Sequence, residues 1–126
     1  FYAIEKAWGG EVFVPKIPSY KISDVATAIA PELKQKIVGI RPGEKLHEEM
    51  ITSSDSYNTV DLGNYYAILP QKSPYSKYSK EDYKFSFNGL DVPSGFSYNS
   101  GNNSEWETIE SLRELVKIHV DPNFKA

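Results

Sequence analysis

The sequence has no cysteine and only two histidines among its 126 residues. Without a thiol there is no disulfide framework, no thiolate nucleophile and no cysteine-based metal site, which fits a reducing cytoplasm. No apolar run approaches the roughly 20 residues of a membrane span. The opening Phe1 to Trp8 also lacks the basic region and cleavage site of a signal peptide. The expectation is a cytoplasmic chain with no membrane contact from this segment. Positive charge is scarce as well: the formal net charge is -3, so there is no global attraction to nucleic acid or anionic lipid, and any bound anion needs a local site. No Gly-x-Gly-x-x-Gly turn occurs to cradle a dinucleotide, and no Ser-His-Asp or Cys-His set offers a nucleophile. His47-Glu48 lacks the second histidine of a zincin helix, position 51 being Ile, and His119 falls in a different predicted helix, so no metal site is expected.

What remains is the composition of an ordinary folded domain, 40% hydrophobic and 25% charged. The chain has no initiator methionine, and Phe1-Tyr-Ala-Ile-Glu-Lys-Ala-Trp8 runs into Gly9-Gly10 like the end of a helix with its glycine stop. That start suggests a fragment. Glu11 to Pro15 is β-branched and aromatic and predicts a strand, ended by Pro15 and Pro18. From Ile22 the apolar positions Val25, Ala26, Ile29 and Ala30 repeat at helical spacing, with Ser23 or Asp24 as the N-cap and Pro31 as the stop. Lys36 to Ile40 predicts a second strand, and a further helix is expected from near Glu44. This alternation is the pattern of an α/β fold over residues 1–51.

From residue 52 to 103 the pattern weakens to an irregular arm, in which only Tyr65 to Leu69 reads as a strand. Seven of the nine tyrosines lie in it. Such rings suit either a subunit contact or a loop-rich flank of the same domain. Ser104-Glu-Trp-Glu107 has the spacing of a capping box and predicts the start of a terminal helix, blocked by Pro122. Residues 52–126 are thus expected to belong with 1–51 in one domain.

The densest chemistry lies in Ile40-Arg-Pro-Gly-Glu-Lys-Leu-His-Glu48. An arginine leaving a strand can fork onto two phosphate oxygens, and a carboxylate three residues on can accept from a diol. From spacing alone, an exposed Arg-Glu pair across the turn is the commoner outcome. Tyr2-Ala-Ile-Glu-Lys6 matches the Tyr-x-x-x-Lys spacing of short-chain dehydrogenases, but nothing before it positions a cofactor, so ordinary helix residues explain it better.

Three blocks together carry a resemblance: Gly9-Gly-Glu-Val-Phe-Val-Pro-Lys-Ile-Pro-Ser19, Val38-Gly-Ile-Arg-Pro-Gly-Glu-Lys-Leu-His-Glu48, and Phe96-Ser-Tyr-Asn-Ser100 with Asn102, Asn103 and Trp106. They resemble the C-terminal region of the inverting UDP-N-acetylglucosamine 4,6-dehydratases, which are extended short-chain dehydrogenases of polysaccharide biosynthesis. The resemblance implies an α/β fold, namely the small C-terminal substrate-binding domain, with the NADP-holding Rossmann domain missing from this chain. It implies a lyase that makes a 4-keto-6-deoxy sugar nucleotide with inversion at C5, and a homo-oligomeric parent. Catalytic residues of that family match no position here, so none is assigned and the isolated chain is expected to be inactive. What the resemblance carries over is binding of a UDP-sugar: Arg41 on the diphosphate, Glu44 on the ribose hydroxyls, and Lys16 as a further lining residue of the nucleotide pocket. The competing reading is a non-catalytic nucleotide-sugar-binding or assembly module.

Overall fold

The computed structural model describes residues 1–71 and 79–126; Tyr75 and Tyr78 of the tyrosine-rich arm lie outside the described residues. In chain order the elements are α1 (Tyr2–Lys6), β1 (Val12–Pro15), α2 (Ile22–Ile29), β2 (Glu49–Ile51), a 3-10 turn (Asp55–Asn58), β3 (Thr59–Asp61), β4 (Tyr65–Ile68), α3 (Lys80–Phe87), β5 (Leu90–Asp91), β6 (Tyr98–Asn99) and α4 (Ile109–His119). They form two compact units. One contains Phe1–Lys16 and Glu49–Asn99, the other Ile17–Glu48 and Ser100–Ala126. Among the described residues no helix is long and apolar enough to cross a membrane.

The first unit is built on an antiparallel sheet of order β1-β4-β3-β5. Ala67 of β4 lies opposite Phe13 of β1 and Val60 of β3. Val60, Ala67 and Tyr83 of α3 form the core, with Trp8, Phe13, Leu62, Leu69 and Phe87 packed against it. Full burial of a side chain such as Val60 contributes on the order of 1.5–3 kcal/mol. Helix α3 is set by a capping box in which the Ser79 side chain accepts from the Asp82 amide and Asp82 accepts from the Ser79 amide. It ends at Asn88 in the left-handed conformation. The next residue, Gly89, lies so close to Val60 that a Cβ there would overlap the valine side chain. Tyr2 of α1 stacks on Tyr65 with ring centroids 4.4 Å apart. Strands β2 and β6 form a separate antiparallel pair with a register shift between Glu49 and Ile51.

In the second unit α2 packs on α4, burying Ala28 of the one and Leu112 of the other. Arg113 donates from Nε to the Ala28 carbonyl at 3.2 Å. Ser19 is bridged to the stretch before α4: its amide donates to Glu105 O at 2.8 Å, and the Glu107 amide donates to Ser19 O at 2.7 Å.

The chain therefore mixes α and β as expected, but its ladders are antiparallel rather than those of alternating crossover units. Lys36 to Ile40 is not a strand. Among the described residues no strand pairs with it to complete a ladder, and Gly39 turns the backbone to φ +86°. No helix starts at Glu44, whose carboxylate is instead turned back onto the Arg41 amide, and the chain continues into β2. The N-cap of α2 is Lys21 rather than Ser23 or Asp24. Helix α4 starts four residues later than Ser104 predicts, from a capping box between Thr108 and Ser111, because the backbone of 105–107 is taken up by the bridge to Ser19. The stop after α1 is made by Glu11, which accepts from the Trp8 and Gly9 amides at 2.6 Å each.

Candidate functional site

Arg41-Pro42-Gly43-Glu44 forms a tight turn whose residues each have a physical role. Proline pre-sets the second position, Gly43 takes φ +88° at the third, and the Glu44 amide donates to Arg41 O at 3.1 Å. These are the marks of a type II turn. The Glu44 side chain then closes the ring: Oε2 accepts from the Arg41 amide at 2.8 Å, and Oε1 lies 3.3 Å from Arg41 Nε. The turn thus carries its own lock and holds the root of the arginine side chain. That side chain is 81% exposed, and Glu44 47%, so the ion pair itself adds little stability.

Around the turn, Ile40, Gly43, Glu44, Lys45, Leu46 and Glu48 line an open concavity of about 540 Å³. Its lining mixes apolar surface with one ammonium and two carboxylates. Arg41, next to Ile40 in sequence, carries a planar guanidinium of the kind that can fork onto two anionic oxygens.

Lys16 stands in the first unit, at the end of β1, and its amide donates to Asn64 O at 3.0 Å. Its ammonium is held by both oxygens of Asp61, at 2.7 and 2.8 Å, and lies 4.4 Å from the centre of the Tyr66 ring. Burial pushes the Tyr66 hydroxyl up from its ordinary value, against the opposing pull of the Lys16 charge. Arg41 and Glu44 are brought together by the structure; Lys16 has its own partners in a different unit.

Ser100, quoted in the sequence only as the end of the third block, bonds to His47 and Glu48. Its hydroxyl accepts from the Glu48 amide at 3.2 Å and lies 3.3 Å from Nδ1 of His47, while its own amide donates to Glu48 O at 2.9 Å. Asn103 in turn donates to Ile17 O at 2.8 Å and to Ser19 Oγ at 3.0 Å. Parts of all three blocks that carry the resemblance therefore meet in the second unit. The signal was the co-occurrence of the blocks, since none of these bonds follows from local spacing. Among the described residues no three His, Asp or Glu side chains gather as metal ligands. A dinucleotide does not fit these residues either: among the described residues no glycine-rich turn joins a parallel strand to a helix N-terminus.

The family model described as polysaccharide biosynthesis protein matches residues 1–70. A UDP-N-acetylglucosamine 4,6-dehydratase (inverting) of Campylobacter jejuni subsp. jejuni serotype O:2 is 50% identical over 117 residues, which cover 89% of this chain and 34% of that protein. A UDP-glucose 4-epimerase of Rickettsia canadensis is 37% identical over 71 residues, 53% of this chain and 21% of the relative. Among solved structures, Pen from Bacillus thuringiensis superposes with a TM-score of 0.64 at 27% identity, covering 90% of this chain and 33% of that one. The chain spans about a third of the length of the dehydratase it matches. On the family match and this shared sequence, the chain belongs to the polysaccharide biosynthesis protein family and is similar over most of its length to inverting UDP-N-acetylglucosamine 4,6-dehydratases.

Proposed function

We propose that this chain is the nucleotide-sugar-binding part of a C5-inverting UDP-N-acetylglucosamine 4,6-dehydratase, with Arg41 on the diphosphate and Glu44 on the ribose hydroxyls. The observation that carries the reading is the self-locked Arg41–Glu44 turn in a chain half identical to such a dehydratase. A guanidinium replaces lost phosphate hydration with paired charged hydrogen bonds. Each Glu44 oxygen, already bonded once within the turn, keeps a second lone pair for a hydroxyl donor. The epimerase likeness supports the coarser part of the reading, a UDP-hexose ligand.

In this proposal NADP is bound by a part of the protein outside this chain and supplies the hydride chemistry; the residues here bind and orient the substrate. Exposed Tyr57, Phe85 and Leu90 support an assembly contact through the arm in a homo-oligomer. The test is to incubate the full-length protein that carries this chain with UDP-N-acetylglucosamine and NADP and follow the sugar nucleotide by mass spectrometry. Loss of one water to give a 4-keto product is expected. Binding of the sugar nucleotide with no turnover would favour a non-catalytic binding module, and a C4 epimer without loss of water would replace the dehydratase with an epimerase.

A further inference from the structure

We propose that Ser100 is a positioning residue for the nucleotide-sugar turn, acting as a latch on His47 and Glu48. This rests on the binding reading given above. The turn at Arg41–Glu44 closes on itself through the Arg41 and Glu44 backbone and the Glu44 carboxylate, which fixes its internal shape but not its place in the unit. Residues 36–48 end in His47 and Glu48, which make three hydrogen bonds to Ser100. The apolar residues of the stretch provide little alternative anchorage: Ile37 is 96% exposed, Val38 77% and Leu46 77%.

Ser100 has the donors and acceptors this task requires. Its amide donates to Glu48 O at 2.9 Å and its hydroxyl oxygen accepts from the Glu48 amide at 3.2 Å, so the backbone of Glu48 is held from both sides by one residue. With that oxygen accepting, the hydroxyl proton is free for Nδ1 of His47, 3.3 Å away, in the tautomer that carries its proton on Nε2. Glu48 and Glu44 both line the concavity, four residues apart along one connected stretch. Fixing the one end therefore limits where the other can stand. A bound diphosphate needs Arg41 within hydrogen-bond reach, and a displacement of about 1 Å weakens charged contacts markedly. Ser100 thus acts on affinity through Glu48 and the turn, without touching the ligand.

The experiment is calorimetric titration of UDP into the full-length protein and its Ser100→Ala, Ser100→Thr and Arg41→Lys variants, with a thermal melt of each. Ser100→Ala is expected to weaken UDP about three- to tenfold, as loss of side-chain hydrogen bonds implies, at an unchanged melting temperature. Ser100→Thr, which keeps the hydroxyl, is expected to restore most of that affinity. If Ser100→Ala fails to fold, His47→Ala replaces it, with the same weakening expected. Wild-type affinity in Ser100→Ala, beside a loss in Arg41→Lys, would overturn the latch and leave the binding turn standing. No loss in either variant would overturn both. A lowered melting temperature in Ser100→Ala, with affinity restored by neither temperature nor Ser100→Thr, would make Ser100 a purely structural residue and overturn the positioning role.

Discussion

Lys16 and Asp61 are joined across the ends of β1 and β3 by two contacts, 2.7 and 2.8 Å long, beneath the ring face of Tyr66. Both side chains are about a third exposed, at 31% and 29%, so the pair is neither a freely solvated surface contact nor a fully desolvated one. Asp61 also accepts from the Gly63 amide at 2.8 Å, which ties the ion pair to the β3–β4 turn. Lys16→Met is expected to lower stability by about 1–2 kcal/mol, because a half-buried carboxylate loses its partner and Tyr66 its cation. The double variant Lys16→Met/Asp61→Asn should recover part of the loss. Urea denaturation of the three proteins checks this, and a UDP affinity that also falls in Lys16→Met would add the nucleotide to the lysine's partners.

Tyr83 is 2% exposed and its hydroxyl has no hydrogen-bond partner among the described residues. Burial, with the nearby Glu11 charge, pushes that phenol well above its ordinary value. The sign follows directly: with the folded value raised, the contribution to stability is intact below about pH 10 and is lost as pH rises, because the unfolded phenol ionises first. Tyr83→Phe should therefore be neutral or stabilising by up to about 1 kcal/mol at pH 7, since it removes an unsatisfied buried group. It should also lose less stability than the wild type between pH 8 and about pH 11. Denaturation curves at the two pH values decide it, and a steeper alkaline loss in Tyr83→Phe would be the contrary result.

Gly43 has open space around a would-be Cβ, so Gly43→Ala meets no neighbour, only the cost of φ +88°. That cost is about 1–2 kcal/mol for an L residue, and it falls on the turn that presents Arg41. The expected result is a melting temperature lowered by a few degrees, with the part of the strain relieved by a shift of the turn appearing as weaker UDP binding. Calorimetry on the full-length variant measures both arms.

The parts of the fold legible in the sequence were those written in local chemistry. Val12 to Pro15, the periodicity of Val25, Ala26 and Ile29, and Tyr65 to Ile68 appear close to where the pattern predicts them. So does the turn at Pro42-Gly43, whose two residues have few other conformations to adopt. Strands β3, β5 and β6 are two or three residues long, too short to show an alternation, and they exist through their partners. The predicted strand at Lys36 to Ile40 failed for the converse reason: it had the propensity but no ladder to join. Asp61 as the partner of Lys16, 45 residues away, and Ser100 as the partner of Glu48, 52 residues away, are long-range pairings that no local pattern encodes.

Arg41 is proposed to grip the diphosphate of a UDP-sugar. The most direct test is calorimetric titration of UDP into the full-length protein, wild type against Arg41→Lys and Glu44→Gln. A lysine keeps the charge but not the planar fork, so Arg41→Lys should weaken UDP by about 1.5–3 kcal/mol. Glu44→Gln should cost less, because an amide oxygen still accepts from a ribose hydroxyl. Unchanged UDP affinity in both variants, accompanied by a lower melting temperature, would contradict the claim and make the Arg41–Glu44 turn a structural pair.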